Sequence, residues 1–168
     1  MGSVTAGDLQ PSRKLFTAPG PLGLPWRLLI HSIEGRTSMR NVIYKTVVLK
    51  ATPDALFDMY VDPVLHQAIT GLPVTIAAQA GAEFVAFDGA LTGVMLQVVK
   101  PRLIVQTWRS PAFAEDDPDS ILILSFHPQG EHGRIELVHL DVPDQDYEEV
   151  KLGWREKYFE PWREFLAN

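Results

Sequence analysis

The 168-residue sequence contains no cysteine, which excludes disulfides, thiolate nucleophiles and cysteine-ligated zinc. No apolar run approaches the roughly 20 residues that a membrane-crossing helix needs. Positive charge is scarce: 15 Lys and Arg face 21 Asp and Glu, a formal charge of −6, which argues against nucleic acid as a partner. No glycine-rich loop follows a strand pattern, and no Gly-x-Ser-x-Gly elbow occurs, so neither a nucleotide site nor a serine hydrolase is expected. The histidines at 31, 66, 127, 132 and 139 form no pair at ligand spacing within a helix, so neither a metal nor another cofactor is expected. The acidic run Glu115-Asp116-Asp117-Pro118-Asp119 lacks the glycine and distal glutamate of a calcium loop and reads as a solvated turn.

What is present is ordinary for a globular chain: 46% apolar and 21% charged residues, enough for one domain. Residues 1–38 differ in kind. They carry a balance of +2 against −8 for the remainder, and Pro11, Pro19, Gly20, Pro21, Gly23 and Pro25 interrupt any regular element. This stretch reads as a leader, a tag ending at Ile33-Glu34-Gly35-Arg36, or a start assigned upstream of Met39. The fold is therefore expected in 39–168, in a cytoplasmic protein.

From Val42 to Lys50 β-branched residues mark a strand. Thr52-Pro53-Asp54 opens a short helix with an N-cap hydroxyl, a first-turn proline and an acid at the positive end of the dipole. A second short helix runs from Pro63 to about Thr70 and closes at Gly71. Strands are then expected near 74–78, 82–87, 91–99, 103–109, 120–127 and 134–141. The links are too short for crossover helices, so neighbours pair antiparallel.

Faces follow from hairpin pairing. A turn at 128–133 sets Leu124 opposite Leu137 and Leu122 opposite His139, so that Leu122, Leu124, Phe126, Ile135 and Leu137 share one face with His139. Around Pro101 the same logic pairs Val98 with Leu103, Leu96 with Val105 and Val94 with Thr107, leaving Gln97 and Gln106 outside. A three-residue loop at Asp88-Gly89 puts Phe84 and Ala86 inside.

The final element begins at a capping box, Asp146-Tyr147-Glu148-Glu149, and carries a stripe of Tyr147, Val150, Trp154, Tyr158, Trp162 and Phe165. Gly153 and Pro161 break helix propensity inside it. Gly153 either lets the helix approach the sheet or leaves room beside it. One helix, roughly 10–12 Å across, is too slender to fill a curved seven-stranded sheet, so a cavity is expected between them.

The motifs Gly81-x-x-Phe84, Asp88-Gly89-x-Leu91-x-Gly93, Pro101 to Arg109, Asp117-Pro118-Asp119-Ser120, Leu137-Val138-His139 and Gly153-Trp154 occur in an order that resembles the helix-grip fold of START-type (SRPBCC) domains. Over about residues 41–167 the chain is similar to bacterial single-domain relatives of the activator of the ninety-kilodalton heat-shock chaperone ATPase. The resemblance implies an α+β fold with an internal cavity and no fixed activity. It also implies a possible chaperone partner. Residues 1–38 are too short to supply the separate domain that engages the chaperone in the eukaryotic protein.

The expected function is therefore a carrier or receptor for a small apolar or amphipathic molecule, acting as monomer or homodimer. Phe84, Leu96, Val105, Leu124 and Leu137 would form the apolar wall, and His139, Trp154 and Tyr158 the polar contacts. His139, with Asp141 two residues on, is alternatively the acid/base of a cyclase or hydrolase, or a core histidine satisfied by a backbone carbonyl. Strict alternation sets Trp108 on the outer face as a partner-binding residue; a bulge would turn it inward.

Overall fold

The computed structural model describes residues 40–168; the segment read as lying outside the domain, 1–38, falls beyond the described residues. Strand β1 (Arg40–Leu49) leads into helices α1 (Pro53–Val61) and α2 (Pro63–Thr70). Strands β2 (Val74–Thr75), β3 (Glu83–Ala86), β4 (Leu91–Val99), β5 (Leu103–Trp108), β6 (Ser120–Gln129) and β7 (His132–Pro143) follow. They form one seven-stranded sheet in the order β1-β7-β6-β5-β4-β3-β2, with every paired neighbour antiparallel. The chain ends in helix α3 (Tyr147–Gly153), a π-helical turn (Trp154–Phe159) and helix α4 (Glu160–Phe165). This is the helix-grip architecture.

Local chemistry sets the two short helices. The Thr52 hydroxyl accepts from the Ala55 N–H at 3.2 Å, and Pro53 occupies the first turn. Asp62 ends α1 and caps α2, its carboxylate accepting from the Val64 and Leu65 N–H groups at 2.8 and 3.1 Å. Gly71 closes α2 with φ 78°, a left-handed cap that glycine adopts without penalty.

The β6–β7 register is the expected one: Leu122 opposes His139, Leu124 opposes Leu137 and Phe126 opposes Ile135, all buried. Phe84 and Ala86 also face inward, although the loop after Ala86 has four residues rather than three, with Ala86 opposite Leu91.

The β4–β5 faces are the reverse of those expected. Leu103 opposes Val99, one residue off the anticipated pairing, and such a slip flips every side chain that follows. Ile104, Gln106 and Trp108 therefore point inward and Val105 outward, half-buried on the far face. An irregularity between Met95 and Gln97 pushes Leu96 out, 48% exposed, while Met95 is buried. Gln106 can be interior because the Tyr60 hydroxyl donates to its Oε1 at 3.1 Å, offsetting part of the burial cost. Tyr60 lies 46 residues away in sequence, so alternation along β5 carries no sign of this partner.

The concave side is not left to one helix. Leu56, Phe57 and Tyr60 of α1 are fully buried, and the Phe57 ring meets Phe126 edge-on at 5.5 Å. The middle of the hollow is filled by the protein's own side chains. A cleft of about 450 Å³ opens beside the first half of the C-terminal helix.

Candidate functional site

The cleft lies where the π turn and α3 cross the far ends of β4 and β5. Its volume is about 450 Å³, and its walls include Phe87, Leu91, Trp108, Val150, Trp154 and Tyr158. Ser110, Pro111 and Ala112 of the β5–β6 loop form one rim, and Asp146, Glu149 and Lys157 the other.

The C-terminal helix is shaped for this cleft. Four residues of α-helix advance about 400°, so a stripe at strict four-residue spacing drifts around the axis. Val150, Trp154, Tyr158 and Trp162 keep to one side because the π turn between them under-rotates. The wider turn also precedes Pro161, which cannot donate to the carbonyl four residues back and would collide with it. The inserted residue displaces the stripe beyond it: Phe165 is 39% exposed and Leu166 packs against the core in its place. Gly153 lines the cleft, and a Cβ built there meets nothing within 4 Å. Of its two proposed roles, it leaves room rather than permitting close approach.

Phe87 holds the opposite wall at a cost. It sits at φ 53° with Asp88 at φ 56°, a left-handed conformation that is unfavourable for a bulky residue by about 1–3 kcal/mol. Its ring meets Tyr158 edge-on at 5.8 Å. Arg109 organises the nearby rim, donating to the carbonyls of Asp117 and Ala114 and to the Asp119 carboxylate at 2.6–3.0 Å. Arg40 donates to the Asp117 carboxylate at 3.0 Å. The acidic run read as a free solvated turn is thus tied to two arginines.

Asp146 does not form the expected capping box. Its side chain makes no helix-capping hydrogen bond; it accepts instead from the Ser110 hydroxyl, joining the β5–β6 loop to the start of α3. Burial pushes the Asp146 carboxyl up, the Ser110 bond opposes that, and Glu149 adds to the rise.

His139 lies behind the cleft wall, 0% exposed. Its partners are neither a backbone carbonyl nor Asp141. Asp141 is exposed at φ 60°, where the β1–β7 register shifts. The Trp154 indole N–H donates to His139 Nδ1 at 3.1 Å, and Ser120 Oγ lies 2.8 Å from Nε2. An indole only donates, so Nδ1 accepts and Nε2 carries the hydrogen. The Ser120 hydroxyl passes its own proton to the Trp108 carbonyl at 2.7 Å. Burial lowers the His139 pKa to about 3, so the ring is neutral at physiological pH. With both ring nitrogens committed, it has no free atom for substrate.

Among the residues assigned to a ligand site from sequence, Trp154 and Tyr158 line the cleft. Phe84, Leu124 and Leu137 are fully buried core, His139 is second to Trp154, and Leu96 and Val105 lie on the other face. Trp108, assigned to a partner surface by strict alternation, is 4% exposed and forms cleft wall. Its ring meets His139 edge-on at 4.8 Å and Phe113 at 6.0 Å.

Sequence reasoning missed Phe87, Ser110 and Asp146 at the cleft, and His66 beneath it. His66 is buried, its Nδ1–H donating to the Tyr60 carbonyl at 2.8 Å and its ring edge-on to Tyr158 at 5.6 Å. Burial lowers its pKa, opposed by that hydrogen bond. Its only signal was a histidine on an apolar helix. Among the described residues no group of three or more His, Asp or Glu could hold a metal, and no helix is long and apolar enough to cross a membrane.

Comparison with known proteins adds to this geometry. The chain is 28% identical over 118 residues to the human activator of 90 kDa heat shock protein ATPase homolog 1, covering 68% of this chain and 35% of that protein. It is 25% identical over 118 residues to the mouse homolog 2, covering 70% of this chain and 35% of that protein. The chain therefore spans about a third of the length of the curated relatives it matches. Among solved structures, an HSP90 activator from Plasmodium falciparum superposes with a TM-score of 0.69 at 22% identity, over 75% of this chain and 96% of that one. CalU16 from Micromonospora echinospora gives 0.64 at 22% identity, over 75% and 76%. Both show the shared fold. The sequence pattern of one family matches residues 50–162, two thirds of the chain, and by that match the protein belongs to the Activator of Hsp90 ATPase homolog 1-like family.

Proposed function

We propose that this protein binds a small apolar or amphipathic molecule in the cleft between the π turn and the β4–β5 end of the sheet, in a cytoplasmic setting. The observation that carries the reading is the cleft itself: about 450 Å³, walled by aromatic rings and kept open at a glycine in the middle of a helix. Gly153 gives up about 1 kcal/mol of helix propensity relative to alanine, and Phe87 holds a strained backbone on the opposite wall. Both departures from local preference line the same space. Titration of the full chain with an environment-sensitive fluorescent lipid, repeated with Gly153→Leu, tests the reading. Saturable binding that the leucine abolishes supports it; equal binding by both proteins overturns it.

A second reading is co-chaperone activity, favoured by the 28% identity to the human activator over 118 residues. Trp108 is interior and offers no surface for it. The exposed candidates are Val42, Tyr44 and Val48 along edge strand β1. Pull-down with purified heat-shock chaperone and measurement of its ATPase rate test this reading, with Tyr44→Ala as the surface variant. No association at micromolar concentrations ends it.

A further inference from the structure

Asp146 is a buried acid with little to hold its charge. It is 4% exposed and lines the cleft. One carboxylate oxygen accepts from the Ser110 hydroxyl. The other takes no hydrogen bond among the described residues, yet it is not sealed in as Trp108 Nε1 and the Tyr158 hydroxyl are. A buried carboxylate is ordinarily paired or several times hydrogen-bonded, because desolvating it alone is costly. No Lys or Arg among the described residues forms an ion pair with it. The cations of the adjoining loop are taken: Arg109 holds Asp119 and the carbonyls of Ala114 and Asp117, and Arg40 holds the Asp117 carboxylate. The charged neighbour Asp146 does have is Glu149, a second rim carboxylate without an ion pair among the described residues. Burial, and behind it Glu149, push the Asp146 pKa up against the Ser110 bond, the response of an acid without a positive neighbour.

We infer that the cleft takes a cationic amphipath, its ammonium group set against Asp146 and Glu149 and its apolar body along Phe87, Leu91 and Val150. This rests on the ligand-binding reading above and goes beyond it by naming the class of ligand. An ammonium supplies the donors and the positive charge that the open Asp146 oxygen lacks, and its bond to a carboxylate is of the stronger, charge-assisted kind. A neutral apolar ligand would displace water from Asp146 and leave its charge without compensation. An anionic ligand would meet two carboxylates, with Lys157 alone in its favour. Lys157 is exposed at the mouth and pairs with neither acid, so the rim keeps an excess of one negative charge. A bare metal ion is the poorer fit, because among the described residues no group of three or more His, Asp or Glu stands ready to ligate one. The balance of −8 over residues 39–168 attracts cations at longer range.

Three matched probes test this with the full chain in calorimetric titrations at pH 7: octylammonium, octanol and octanoate. Octylammonium is expected to bind about tenfold more tightly than octanol, the worth of one charge-assisted hydrogen bond at a partly wet mouth, and octanoate most weakly. Asp146→Asn, which removes the charge and keeps both the shape and an acceptor for Ser110, should cost octylammonium about tenfold and octanol far less. Glu149→Gln should cost it less than Asp146→Asn does. Lys157→Met, at an exposed position, should tighten octylammonium several-fold. A thermal melt of each variant confirms folding. If octylammonium and octanol bind equally and Gly153→Leu abolishes both, the inference falls while the cleft reading stands. Octanoate binding most tightly, and losing that lead in Lys157→Met, overturns it in favour of an anionic ligand. An ammonium preference that survives both Asp146→Asn and Glu149→Gln also overturns it, by placing the cation elsewhere on an acidic chain. If none of the probes binds, both the inference and the reading beneath it fall.

Discussion

The Trp154 indole donates to Nδ1 of His139 across 3.1 Å, so a residue of the C-terminal helix and one on strand β7 settle each other's orientation. The bond fixes the imidazole tautomer, and through Ser120 it reaches the Trp108 carbonyl on β5. The cleft wall is thereby stitched across β5, β6, β7 and the helix. Trp154→Phe should cost about 1–3 kcal/mol in urea unfolding, because it leaves Nδ1 buried without a donor.

The same ring makes stability depend on pH. Its folded pKa lies below the unfolded value, so its contribution is present above about pH 6.5 and is lost as pH falls toward about 3. Integrated over that interval the loss is about 5 kcal/mol. His139→Gln should lower stability at neutral pH and flatten the acid limb of a stability–pH curve. An unchanged acid limb would assign the sensitivity to other groups.

Asp146 works in the opposite sense. Its pKa is raised in the folded state, so its contribution is present below the ordinary carboxylate range and is lost as pH rises through the folded value. Asp146→Asn keeps an acceptor for Ser110 and removes the buried charge, and should raise the melting temperature at pH 7 relative to pH 4. Ser110→Ala should lower it, more at pH 7 than at pH 4.

Three glycines should respond differently to alanine. Gly153→Ala meets nothing within 4 Å and should stabilise by about 1 kcal/mol through helix propensity. A Cβ on Gly93 would lie well inside van der Waals contact with the Thr107 backbone carbonyl, so Gly93→Ala should cost about 3 kcal/mol or more by forcing β4 from β5. On Gly133 it would lie 2.7 Å from the Ala51 carbonyl oxygen, and destabilisation of similar direction is expected. Chemical unfolding of the three variants separates the cases.

The sequence was most legible where the physics is local or strictly periodic. Thr52, Asp62 and Gly71 mark helix ends because their caps act within three or four residues. The β6–β7 register followed from one turn and an uninterrupted alternation, since a slip of one residue would bury Glu136 and Ser125. Trp154 and Tyr158 line the cleft with Gly153, on the helix face that the spacing of the aromatic stripe marks.

Alone, the sequence determined the order of elements, the antiparallel sheet, the caps of the two short helices and one buried hairpin, because each is set by neighbours along the chain. The tertiary structure decided which way β5 faces, since the burial of Gln106 depends on Tyr60 some 46 residues away. It decided that Trp108 and Phe87 wall the cleft, and that Asp146 serves Ser110 rather than its own helix, 36 residues distant. It also placed the aromatic cleft beside the first half of the C-terminal helix, because α1 supplies side chains that fill the middle of the hollow. Such choices turn on whether a distant partner offsets the cost of burying a polar group, and hydrophobic periodicity carries no information about that partner.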